Sequence, residues 1–365
     1  MVDKERIDTA SKQNNSVAEN EKLKYRRLLL KRSLFIVSCA VLLFAVAGVA
    51  LALGSASLSF FEAYSAVFAK FFPEWFSVSE LADNVVWNLR LPRILLAVLA
   101  GSTLAIAGTS TQAILRNPLA TPYTLGVSAG ASLGASIGII LGRGLTDGPF
   151  LIILNAFIFS LIPVIVILLL TKKRGLSPET VILAGIAIMY IFSACTTILQ
   201  YFAESNAVAA TVFWTIGDLS RAAWWQTPYI FVVLILSTTI NLRLSWDLNI
   251  MKMGDDTAKG LGVEVNRVRK LVFITACLST ATVVSFTGPI GFIGLVSPHI
   301  CRAIIGGDEK FLIISSSLFG AVLLLFADTL ARRVLAPIVL PVGAITAFLG
   351  GPLLLYLLIR KKTNY

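Results

Sequence analysis

The chain has 365 residues, of which 56% are hydrophobic and only 14% charged, a balance that excludes an ordinary soluble domain. Its formal charge of +11 could suit nucleic acid, but the cations flank apolar runs of about 20 residues, the length that crosses a hydrocarbon core of about 30 Å. Those runs are continuous, without period-two alternation, which excludes strands and leaves an all-α polytopic membrane protein.

Residues 1–22 are polar, mixed in charge and poor in aromatics, so composition predicts disorder there. With the cations that follow, residues 1–32 form a basic cytoplasmic tail, and residues 33–365 form the transmembrane domain. The first apolar run, Ser33–Gly54, is too long for a secretion-signal core and is kept as a span. Ten spans are predicted, at about 33–54, 94–113, 120–142, 150–171, 179–200, 227–245, 269–288, 294–306, 311–332 and 341–360. With the N-terminus inside, all of the 31 Lys and Arg except Lys70, Arg90, Arg93, Arg143, Arg221, Arg332 and Arg333 fall on the cytoplasmic side. Dense groups lie at Lys24–Arg32, Lys172–Arg174, Arg267–Lys270 and Arg360–Lys362. This asymmetry places both termini in the cytoplasm.

Two blocks share their punctuation: Arg90–Gly134 and Val268–Asp308. Each has a basic start, a helix rich in small residues, a Gly/Pro break and a second small-residue segment, and two spans follow each. One enters from outside and one from inside, which predicts an inverted repeat. Gly126, Gly130, Gly134, Gly138 and Gly142 recur every four residues and predict close helix packing rather than a substrate site. Cys39, Cys195, Cys277 and Cys301 fit neither a zinc site nor a disulfide framework and read as small packing residues.

A polar island at 247–270 separates two spans. Asp255 and Asp256 suit a helix's first turn, Gly260 and Gly262 stop that helix after about two turns, and Leu261, Val263, Val265 and Val268 give it an apolar side. The segment is either a docking knob for a partner or a loop tucked against its own bundle.

No phosphate loop of the form G-x-x-x-x-G-K-[ST] occurs, so the chain does not bind ATP in that way. The single histidine, His299, has no ligand cluster, so no metal site and no catalytic residue is predicted. Carboxylates are nearly missing from the spans; Asp328, four residues before Arg332, is the exception. A transporter driven by an ion gradient would want mid-membrane carboxylates. Their scarcity points to energy from a partner protein. On the cation-poor outer side, Arg90 and Arg93 read either as interface anchors or as acceptors of a docking protein's carboxylates.

These strings together resemble the FecCD-like permeases of ATP-binding-cassette importers for ferric siderophores, haem and cobalamin. They are RLPR (Arg90–Arg93), RNPLATP (Arg116–Pro122), LGVSAGA (Leu125–Ala131), GDDTAKGLGV (Gly254–Val263), GPIGFIGLVSPHICR (Gly288–Arg302), ADTLAR (Ala327–Arg332) and LPVGAITAFLGGP (Leu340–Pro352). The resemblance runs from about Val86 to the C-terminus. It implies the type II importer permease fold, with ten helices per chain, and a homodimer in the plasma membrane with its translocation path on the two-fold axis. Two ATP-binding subunits are implied at the cytoplasmic face, using ATP and Mg; an extracytoplasmic substrate-binding protein is implied outside. The chain itself would bind no cofactor and no nucleic acid; lipid surrounds it. The island matches the family's coupling loop, through Gly254, Asp255, Asp256, Ala258, Gly260, Leu261 and Gly262. Asp255, Asp256 and Thr257 stand where the family often has two glutamates and an alanine. Arg90, Arg93 and Arg332 fall on positions that meet the binding protein, and Asn117, Pro118, Leu119 and Ser177 on a cytoplasmic gate. Ferric siderophore is the first cargo implied, cobalamin or haem the alternatives, and an ion-gradient-driven secondary transporter the rival from another class.

Overall fold

The computed structural model describes the chain apart from Met1, residues 55–57, Ser77, Leu145, Asp147, residues 175–176 and residues 361–365. Nor are the side chains of residues 2–19, Pro149, residues 173–174 and residues 357–360 described, so the basic groups at Lys173–Arg174 and Arg360–Lys362 fall outside the described side chains. Fifteen α-helices and no strand occur among the described residues: α1 Val2–Ala52, α2 Phe60–Ala69, α3 Glu80–Asn84, α4 Leu91–Leu115, α5 Val127–Leu141, α6 Leu151–Arg174, α7 Pro178–Tyr201, α8 Ser205–Thr215, α9 Thr227–Arg243, α10 Ser245–Met251, α11 Asp255–Gly260, α12 Val265–Thr287, α13 Ile293–Ile305, α14 Glu309–Ala331 and α15 Val342–Arg360.

Among the described residues, seven helical stretches are long and apolar enough to cross a membrane. The other predicted spans correspond to α5, α13 and α15, which have 15, 13 and 19 residues. The expected span at 120–142 is shorter than its apolar run because Pro122–Leu125 forms a 3-10 turn and Gly126 takes φ +89, which starts α5 only at Val127.

The N-terminal segment differs from the composition-based expectation of disorder. It continues the helix of the first span back to Val2. No glycine or proline interrupts residues 2–47, so a helix nucleated in the apolar span propagates outward at little cost per residue.

The second predicted span also starts earlier than expected. α3, a π-helical turn over Val85–Arg90 and α4 run on as one stretch of 36 residues. Leu91 N–H donates to the Val86 carbonyl in π register. In that register the next donor would be Pro92, which has no N–H. The carbonyl it leaves free, that of Trp87, accepts the Trp224 indole N–H at 2.7 Å.

α4 is the centre of the bundle, packing along α12, α13, α14 and α9. Two glycine crossings set its spacing. A Cβ on Gly101 would lie 2.4 Å from the Gly320 carbonyl oxygen, and one on Gly108 only 1.8 Å from that of Gly294. The predicted small-residue stripe serves α5 in the same way: a Cβ on Gly130 or Gly134 would lie 2.4 or 2.3 Å from the carbonyl oxygens of Phe159 and Asn155 on α6.

The two similar blocks fold alike, as a long helix, a break and a short helix: α4 then α5, and α12 then α13. The C-terminal end of α4 meets the N-terminal end of α12, since Arg269 Nε donates to the Ile114 carbonyl at 3.1 Å. The blocks therefore enter the bundle from opposite ends. Their breaks meet inside it, where Ile290 N–H donates to the Tyr123 hydroxyl at 2.9 Å.

Candidate functional site

The island is two short helices bent around Gly254, whose φ of +115 suits a residue without a side chain. Leu248, Met251, Ala258, Val263, Val265 and Val268 turn inward and join one core cluster with Ile114 of α4 and Val272 of α12. Ala258 is fully buried, so a larger side chain there would lift α11 off the bundle. Asp255 begins α11 and receives both oxygen contacts from one Arg269 nitrogen, at 2.8 and 3.0 Å, with Arg116 at 3.5 Å. The Arg269 hydrogen bonds hold the Asp255 carboxyl below its ordinary pKa, against the opposing effect of burial.

The opposite face of the island is bare. Asp256, Thr257, Lys259, Gly260, Leu261 and Gly262 are exposed, and the Asp256 side chain is fully so. Leu261 corrects the sequence reading, which put it on the inward apolar side. It is 62% exposed, as is nearby Met253 at 70%. Helix α11 ends at Gly260, so the chain turns before Leu261 can face the core. One face of the island thus tucks against the bundle, and the other points away from it.

The residues expected at a gate lie in two separate places, Asn117–Leu119 just after the C-terminal end of α4 and Ser177 at the start of α7. Asn117 Oδ1 accepts the Leu119 N–H at 2.9 Å, a local turn that exposes Pro118 and Leu119. Ser177 caps α7, accepting the Thr180 N–H at 3.3 Å, and its side-chain hydrogen bonds stay within that cap. α7 then crosses the Pro122–Leu125 turn at Gly185, where a Cβ would lie 2.7 Å from the Leu125 Cα. Leu119 also lines a cavity of about 210 Å³ between the two helix breaks, with Tyr123, Thr124, Thr280, Phe292 and Leu295. That is smaller than the roughly 300–1,000 Å³ usual for a small-molecule site.

At the other end of the bundle the three arginines expected to meet a docking protein are buried, with exposures of 4% for Arg90, 8% for Arg93 and 5% for Arg332. Arg90 donates to the carbonyls of Leu51 and Ala52 at 2.6 and 3.0 Å, and Arg332 to that of Leu53 at 3.0 Å, so both cap the C-terminal end of α1. Arg93 and Arg332 share Asp328, at 2.8 and 3.1 Å. The expectation of an open arginine surface fails because the end of a helix presents carbonyls without intrahelical partners, and long guanidinium arms reach them. Lys70, Arg143, Arg221 and Arg333 are the exposed cations on that side among the described residues.

Sequence reasoning missed Arg116 and Arg269 as site residues, counting them as topology signals. Arg269 carried a readable sign: it falls in the inward phase of Val265, Val268 and Val272, where a cation needs a buried partner. Among the described residues no group of three or more His, Cys, Asp or Glu could hold a metal ion.

A model of the FecCD transport family matches residues 40–360. The chain is 48% identical over 285 residues to an ABC transporter permease protein of Methanocaldococcus jannaschii, covering 76% of this chain and 82% of the relative. It is 38% identical over 320 residues to the hemin transport system permease protein HmuU of Yersinia pestis, covering 86% and 93%. To the cobalamin import system permease protein BtuC of Halobacterium salinarum it is 35% identical, covering 80% and 78%. Among solved structures, a chain described as a metal-chelate type ABC transporter in an inward-facing conformation aligns with a TM-score of 0.78 and 29% identity, over 89% of this chain and 98% of that one. PsaBC of Streptococcus pneumoniae shares the fold, with a TM-score of 0.53 at 17% identity, over 80% and 94%. On these matches the chain belongs to the FecCD transport family, as a membrane-spanning permease subunit of an ATP-binding-cassette importer.

Proposed function

We propose that two copies of this chain form the translocation path for a metal chelate, with ferric siderophore the first cargo and haem or cobalamin the alternatives. The supporting names are those of relatives for hemin, cobalamin and Fe(3+)-citrate. ATP-binding subunits dock on the bare face of the island, and both termini lie on that side of the plasma membrane. The observation that carries this reading is the island's construction. One face is packed and ion-paired to α4 and α12, and the other exposes Asp256, Lys259 and Leu261 to a partner. A rigidly seated knob passes on a push that a floppy loop would absorb.

The permease makes and breaks no bonds. Partner subunits bind ATP with Mg, and their closure biases the bundle between two accessible states. The cavity of about 210 Å³ between the helix breaks is too small for such a cargo, which suits a path shared between copies. A substrate-binding protein docks at the arginine end through the exposed Arg333, Arg221 and Lys70 rather than the buried Arg90, Arg93 and Arg332.

Affinity purification from the native membrane, with mass spectrometry and an ATPase assay, tests the assignment. A co-purifying ATP-binding-cassette subunit with vanadate-sensitive hydrolysis is expected. A chain without ATPase that transports in liposomes under an ion gradient overturns it.

A further inference from the structure

The island reaches the bundle at a second place, away from Asp255. α10 stands beside the Gly306–Asp308 turn that joins α13 to α14. Asn249 Oδ1 accepts the Glu309 N–H at 2.9 Å, and Asn249 Nδ2 donates to Asp308 Oδ1 at 3.1 Å. Lys252 Nζ lies 2.5 Å from Glu309 Oε1 and also donates to the Gly307 carbonyl. Asp308 is itself the N-cap of α14, accepting the Lys310 N–H at 3.2 Å, and its second oxygen takes Arg32 of α1 at 2.9 Å. Arg32 also donates to the Ile305 carbonyl at 3.2 Å and stacks on Phe311.

The start of α14 is therefore completed by side chains that belong to other elements. A helix N-terminus leaves four N–H groups without intrahelical partners, and here one of them is satisfied by α10. Glu309 is fully buried, Lys252 is its ion-pair partner at 2.5 Å, and Arg302 adds a more distant positive charge. A buried carboxylate resists losing such a partner, so α10 cannot move far without taking the start of α14 with it. α14 in turn is locked to α4 at the Gly101–Gly320 crossing and packs along α1.

We propose that Asn249 and Lys252 are positioning residues that form a second transmission link, carrying motion of the island into α14 and α1 in parallel with the Asp255–Arg269 link to α4 and α12. This rests on the reading of the island as the ATPase-docking element.

Hydrogen exchange on the full permease–ATPase complex, with and without ATP and vanadate, tests both. In the wild type, trapping is expected to change exchange at 255–262 and at 309–312, each by about fivefold or more. Asn249→Leu removes hydrogen bonds without a charge, and Lys252→Met removes the cation while keeping the stem. In both, the response at 309–312 is expected to fall below about twofold while that at 255–262 and the affinity for the ATPase subunit persist. Charge exchange, Lys252→Glu with Glu309→Lys, restores the α14 response. A wild-type island that responds while 309–312 does not overturns the link alone. So does an Asn249→Leu complex whose α14 responds like wild type, or one that loses ATPase affinity. If instead 255–262 never responds and Leu261→Glu leaves ATPase binding intact, the docking reading itself fails.

Discussion

Arg93 and Asp328 are 235 positions apart in the chain and meet at 2.8 Å. Arg332, on the same helix as Asp328, completes the cluster at 3.1 Å, and its guanidinium reaches back to the last carbonyls of α1. One fully buried carboxylate thus serves two buried guanidinium groups and fastens α1, α4 and α14 at one end of the bundle.

Removing that carboxylate while keeping its shape leaves two buried cations short of a partner. Asp328→Asn is expected to destabilise the permease by about 3–5 kcal/mol. Thermal unfolding in detergent measures this. Arg333→Glu on the exposed side should leave the melting temperature within error and instead weaken binding-protein association.

The glycine crossings predict a steep contrast between positions. Gly108→Ala places a Cβ 1.8 Å from a backbone oxygen of Gly294, which neither helix can yield without separating. A loss of about 1–3 kcal/mol or more follows from such overpacking. Gly291→Ala, with nothing within 4 Å of its Cβ, should cost far less in the same melting assay.

Asp255 links the island to pH. Its carboxyl has a lowered pKa in the folded chain, chiefly through the Arg269 hydrogen bonds. The contribution is therefore fully present above the ordinary value of 3.8 and is lost as pH falls through the lower folded value. Hydrogen exchange of α11 should be insensitive to this pair between neutral pH and about 5, and rise below 3.8. In Asp255→Asn the acid-dependent part disappears, and exchange at neutral pH is already raised.

Leu261 is the apolar centre of the bare face. Leu261→Glu should weaken the ATPase subunit's affinity by roughly 30-fold, as hot-spot truncations do, while the melting temperature of the isolated permease stays unchanged. Surface-plasmon measurements on nanodisc-held permease read the first effect. A wild-type affinity would remove Leu261 from the interface.

Trp224→Phe takes the indole N–H from the Trp87 carbonyl and keeps a smaller aromatic ring against the Trp87 side chain. A modest loss of about 1 kcal/mol is expected. In the double variant with Pro92→Ala, which restores a backbone N–H to that carbonyl, the loss should shrink.

Much of the site was readable before any coordinates. Asp255, Asp256, Gly260 and Gly262 announced a short helix because first-turn carboxylates and helix-stopping glycines have local causes. Gly130 and Gly134 announced close packing for the same reason. Lys252, Asn249 and Glu309 gave no such sign, since a polar residue in a loop looks the same whether it meets water or a helix 60 positions away.

The sequence by itself determined the solvent of this protein, the order of its apolar helices, the inverted pair of blocks and the island between α9 and α12. All of these follow from runs of hydrophobicity and from Gly, Pro and charge at short range. Only the tertiary structure decided which charges face outward. Arg90, Arg93 and Arg332 were read as a docking surface, and burial against the end of α1 and against Asp328 turned them into a clasp. The physical reason is that a guanidinium has no local preference strong enough to choose between a partner protein and its own bundle. That choice is made by which carbonyls and carboxylates the packed helices bring within its reach.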